Sequence, residues 1–112
     1  MAKIKAIPKM LLIHKIEYEH HAGDDGWDDT WEEPYTISRV RVEPASRLQR
    51  GGNSEGEQVS HVVIVDRKYS SHFPDFKIKS RITFNGVRRE VVDVKPFYGF
   101  GPEIHHYEIE LN

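Results

Sequence analysis

Seven histidines in a chain without cysteine make metal ligation by imidazole the first chemistry to weigh. Four of them form two adjacent pairs, His20-His21 and His105-His106. Neighbours on a strand point to opposite faces, so neither pair is set to chelate one ion. A site would need one histidine from each pair plus a carboxylate such as Asp24 or Asp25, and no HExxH-like spacing links them. Asp24-Asp25-Gly26-Trp27-Asp28-Asp29 offers the oxygen donors that calcium takes, but lacks the alternating ligands and distal glutamate of an EF-hand. A solvated acidic loop accounts for it better. Ser70, Ser71 and His72 are adjacent without a GxSxG elbow to present a nucleophile. Arg50-Gly51-Gly52-Asn53 lacks both the spacing of a phosphate loop and a following helix. The expectation is therefore a protein with no catalytic residues, no metal site and no cofactor.

What remains is the placement of charge and aromatic rings. From Glu17 to Glu33 there are eight carboxylates and no Lys or Arg. The first fifteen residues carry Lys3, Lys5, Lys9 and Lys15 without an acid, and Arg39 to Arg50 holds four arginines against Glu43. A net charge of -2 argues against a nucleic-acid polycation. Such segregation fits complementary contact surfaces as well as solvated loops. Trp27 and Trp31 lie in the least apolar stretch of the chain. Together with Asp28 and Asp29 they are the candidate partner interface, because aromatics dominate interface hot spots. The duller reading is a tryptophan packing its own loop.

The elements that must position these residues read as strands. With 112 residues there is room for one domain and a thin core, 38% of the chain being apolar and 30% charged. No signal-like leader and no long apolar span occur, so the expected location is the cytoplasm or a particle assembled there, away from membranes. Strands are expected over Leu12–Glu19, Tyr35–Glu43, Val59–Asp66 and Ile78–Phe84. A return strand then puts Val92 and Val94 on one face, and a last strand, Ile104–Leu111, aligns Tyr107, Ile109 and Leu111. Ile37 is out of phase with Val40 and Val42, which predicts a bulge near Ser38 or a switch of face. Asn85-Gly86 predicts a type I′ hairpin turn.

Six strands point to a small antiparallel six-stranded β-barrel, or a compact sandwich, spanning 1–112 as a single all-β domain. Residues 1–8 are expected to be a flexible N-terminus. His20 to Pro34 is expected to be an acidic loop. Residues 44–58 (PASRLQRGGNSEGEQ) form a long mobile loop between the second and third strands, with Arg47 and Arg50 near a Gly-rich tip that could meet a phosphate backbone.

The order of several segments resembles the minor capsid, or head-completion (stopper), family of the head–tail connector of long-tailed bacteriophages. They are IPKMLLIHKIEY, the Trp-containing loop, RVEPASR entering a Gly-rich stretch, VVIVDRKYS with Phe73 and Phe76, ITFNG with VVDVKPFY, and HHYEIEL. The resemblance implies a barrel that closes the head after DNA packaging and offers a tail attachment surface. It implies a ring of six or twelve copies, contacts with the portal or adaptor ring and a tail-completion protein, and transient contact with packaged DNA. The family's channel loop would fall on Arg47, Gln49, Arg50, Gly51, Gly52 and Asn53. The location implied is the virion, after the host cytoplasm. A tail-completion role, an OB-like module for single-stranded nucleic acid and a metal-dependent enzyme are the other readings.

Overall fold

Alternating side chains build the interior of this protein. The computed structural model describes residues 6–45 and 59–112. Among the described residues eight strands form: β1 His14–Glu19, β2 His21–Asp24, β3 Asp29–Trp31, β4 Tyr35–Pro44, β5 His61–Asp66, β6 Arg81–Phe84, β7 Val87–Tyr98 and β8 Ile104–Leu111. Six of them close into an antiparallel barrel in the order β1-β4-β5-β8-β7-β6, and β2-β3 make a separate two-stranded sheet. The barrel, not the sandwich, is the fold. Closure pairs every barrel strand on both sides over part of its length, while the far half of β7 pairs with β8 alone. Because every neighbour is antiparallel, the β1–β4, β5–β6 and β7–β8 connections share one end. The β4–β5 connection and the β6–β7 turn share the other.

Ile16 and Tyr18, Ile37 and Val40, Val63 and Val65, Ile82, Tyr107, Ile109 and Leu111 meet inside. Each fully buried aliphatic side chain contributes about 1.5–3 kcal/mol by leaving water. Phe73 and Phe76, from the β5–β6 connection, close the end shared by that connection. Phe76 packs edge-on against Tyr18 and Tyr107, with ring centroids 4.9 and 5.2 Å apart. The Tyr18 hydroxyl donates to Ser80 Oγ (3.1 Å) and accepts the Lys77 N–H (3.2 Å), so the one polar group of this ring is satisfied where it is buried. Burial pushes its pKa up.

The expected bulge in β4 is at Arg39, which takes φ 60° and is skipped where Lys15–Ser38 pairing gives way to His14–Val40. Ser70 donates its hydroxyl to the Arg39 carbonyl and accepts the Asp66 N–H. Ser38 N–H donates to Ser71 Oγ at 2.8 Å. Ser70 and Ser71 thus hold the kink that brings Val40 and Val42 into phase with the core. Asn85 and Gly86, with φ 52° and 79°, make the expected turn.

Four expectations need correction. Val91, not Val92, is the buried residue of β7, because a register shift between Val91 and Asp93 turns Val91 and Val94 both inward. Residues 9–11 form a short 3₁₀ turn, so β1 begins at His14 rather than Leu12. Lys79 takes φ 72°, which breaks the extended run at Ile78 and starts β6 at Arg81. The third barrel strand begins at His61, two residues later than read.

Candidate interaction surfaces

The largest difference from the sequence reading is in the acidic stretch. His20 to Pro34 is not an open loop but carries the β2–β3 hairpin, paired through His21–Trp31, Gly23–Thr30 and Asp24–Asp29. Its tip is built by its own carboxylates. Asp25 accepts the N–H groups of Trp27 and Asp28, both at 2.9 Å, and its own N–H donates to the Asp28 carbonyl. Asp24 accepts the Gly26 N–H at 3.2 Å, and Gly26 supplies φ 100°. The amides of Asp28 and Trp27 hold the Asp25 carboxyl below the usual carboxylate range. At this tip Trp27 is 91% exposed.

Trp31 has a different setting. Its indole N–H donates to the Lys79 carbonyl (2.8 Å), the Arg81 guanidinium lies 3.3 Å from its ring centroid, and His21 meets it edge-on. His21 Nε2 donates to Asp29 Oδ1 at 3.0 Å, which lowers the Asp29 pKa, with Lys79 and Arg81 adding to the effect. Of the four expected interface residues, Trp27 and Asp28 belong to the tip, whereas Trp31 and Asp29 dock the hairpin's root on the barrel.

Beside that root lies an open cleft of about 420 Å³, lined by Trp31 and Asp29 from the hairpin and by Arg81, Arg88, Arg89 and Glu90 from β6 and β7. Arg88 reaches Glu19 only at 3.7 Å and stays more than half exposed. Arg89 donates to Ser60 Oγ and the Asn112 carbonyl, both at 3.1 Å. Sequence reasoning missed this basic surface. The two consecutive arginines after the Asn-Gly turn are its trace in the sequence, but Arg81 joins them only through the β6–β7 register.

Arg47, Gln49, Arg50, Gly51, Gly52 and Asn53 lie outside the described residues, as do residues 1–5. Their flanks are on the page. Pro44 pairs with His61, and the Ala45 N–H donates to the Ser60 carbonyl at 2.9 Å. The chain therefore leaves and rejoins the barrel at one point. At the other boundary the Ile7 N–H donates to the Asp66 carboxylate at 3.2 Å, and Lys9 sits over the Tyr69 ring.

The histidine pairs do not converge. His20 Nδ1 lies 2.9 Å from the Tyr18 hydroxyl, while His21 faces Asp29. His105 and His106 bring their Nδ1 atoms to 2.9 Å despite adjacency, beside the register shift at Phe97–Tyr98. Phe97 stacks on His106, whose pKa is lowered by burial and by His105. Among the described residues no group of three or more His, Asp or Glu is placed to hold a metal ion. On the outer wall Glu43 pairs with Arg41, and the buried Glu110 pairs with Lys95 at 3.0 Å.

No curated protein and no solved structure matches the chain. A family model, described as minor capsid protein, matches residues 8–111. That match runs through every strand of the barrel and the hairpin, and the chain belongs to the minor capsid protein family.

Proposed function

We propose that this viral structural protein completes the head of a long-tailed bacteriophage, as a ring-forming subunit of the head–tail connector. In this reading it has no catalytic role. Copies of the closed barrel stand side by side beneath a portal or adaptor ring, and their far side receives the tail-completion protein. Since each barrel strand already has two partners, neighbouring copies meet mainly through side chains, hairpin and loops. The acidic hairpin and the chain's basic surfaces supply opposite charge for those contacts.

The observation that carries the reading is the excursion between β4 and β5. Its two ends are pinned to one another by Pro44–His61 pairing and the Ala45–Ser60 hydrogen bond. The described residues on either side of 46–58 thus stand together at one end of the barrel. In the ring, Arg47, Gln49, Arg50, Gly51, Gly52 and Asn53 face the channel and hold back the DNA end. A Gly-rich tip changes conformation at low backbone cost, and arginines repeated around a ring make a positive collar for the phosphates.

Deleting residues 51–55 in the assembled phage tests this. Heads carrying the deletion should package DNA and then lose it, read as nuclease-sensitive DNA in purified heads. Heads that keep their DNA as wild type does would remove the gating role.

A further inference from the structure

We infer that the Trp27 tip of one copy seats in the arginine cleft of a neighbouring copy. This rests on the ring reading and names the contact that builds it. The tip has the form of a binding knob rather than a solvated turn. Trp27 is 91% exposed, yet its own backbone N–H and that of Asp28 both donate to the Asp25 carboxylate. Little conformational freedom remains in that backbone to be lost on binding. Asp24, Asp25 and Asp28 share the turn with Trp27, so a receptor for the tip should offer cations at its rim and a surface on which an indole can stack.

The chain carries such a receptor. The cleft beside the hairpin root presents Arg81, Arg88 and Arg89 against Asp29 and Glu90, and Asp29 is already engaged by His21. Within each copy Arg81 shows the chemistry on Trp31, with its guanidinium 3.3 Å from the ring centroid. Arg88 can do the same for an incoming Trp27 alongside its long, 3.7 Å ion pair with Glu19, since its side chain is more than half exposed. Tip and cleft are different patches of one surface. Joined in one direction, they make a head-to-tail contact, which closes into a ring where the rotation between copies allows. Lys9 is a poorer receptor, because it already lies over the Tyr69 ring.

Sedimentation of the full chain at concentrations up to about 1 mM, at low and moderate salt, tests the contact. Concentration-dependent association is expected, weakening as salt rises. Trp27→Ala and Arg88→Glu should each weaken it at least about tenfold while leaving the circular dichroism spectrum and melting temperature unchanged, because both side chains are exposed. Asp28→Lys should also abolish association by itself. Mixing Asp28→Lys with Arg88→Glu should restore it, as the reversed tip meets the reversed cleft. A chain that stays monomeric throughout overturns the inference, as does association indifferent to Trp27→Ala or a mixture no better than its components. The assay contains neither DNA nor heads. Its failure would leave the DNA-retention test standing, and failure of that test would leave this contact standing.

Discussion

The barrel wall and the β2–β3 hairpin are both antiparallel sheet, yet different forces hold them. In the wall, side chains from all six strands enter one interior, and Ile109 and Ile37 are inaccessible to water. Polar groups there serve the apolar packing, as Ser70 and Ser71 do when they clamp the Arg39 bulge. The hairpin has three residues in its second strand and four exposed aspartates around its turn. It is held at the tip by Asp25 accepting backbone amides, and at the root by Trp31 on Arg81 and Lys79. A two-stranded hairpin is marginal in water without such an anchor. The lesson is that stability and presentation are divided between the two sheets. The wall provides the cooperative unit, and the hairpin is a projecting arm secured at one place.

Removing a wall side chain should have the largest effect. Ile109→Ala should cost about 2–5 kcal/mol of unfolding free energy in urea, through lost burial and the cavity left behind. A loss well under about 1 kcal/mol would mean the wall tolerates collapse at its centre. Next, Trp31→Ala should cost about 1–2 kcal/mol, the sum of a cation–π contact and one hydrogen bond. Its signature should be local. Amide exchange should quicken over residues 21–31 while β5 and β8 keep their protection. Uniform loss of protection would show that hairpin and wall unfold as one unit.

The smallest effect expected is one of pH, and it belongs to the wall alone. His14 accepts the Val42 N–H through Nδ1 at 3.0 Å, which only the neutral ring can do. Burial, then the charge of Arg41, holds its pKa below the ordinary 6.5. Burial acts in the same direction on His61 and His106. The folded state therefore binds these protons less readily than the unfolded chain. Their stabilisation is whole above about pH 6.5 and is lost as pH falls through the depressed folded values. Melting temperature should drop between about pH 7 and about pH 5. His14→Asn, which keeps an acceptor oxygen in a similar place, should make that drop shallower. An equal slope in the variant would assign the effect elsewhere. The aspartates of the hairpin have depressed pKa values too, so their loss should appear only at much lower pH, below the ordinary carboxylate value of 3.8.

Much of the wall was legible in the residues. Period-two alternation placed Tyr107, Ile109 and Leu111 on one face, and Asn85-Gly86 marked its turn through two positive φ angles. The break in phase between Ile37 and Val40 announced the Arg39 bulge. These signals are local, set by steric rules acting over two to four residues. The bulge at Val92 was not legible, because four residues of Val91-Val92-Asp93-Val94 suit either phase until β8 selects one. Nor was the hairpin, whose short strands have no apolar period and whose pairing depends on a root docked on Lys79 and Arg81.

The chain order of its residues determined an all-β domain, its turns, most of its inward faces and the place where a long segment leaves the barrel. Tertiary structure alone decided that Trp31 turns in while Trp27 turns out, and that Arg81 joins Arg88 and Arg89 in one cleft. The reason is distance along the chain: Trp31 and the Lys79 carbonyl are separated by 48 positions, and only barrel closure brings them within a hydrogen bond.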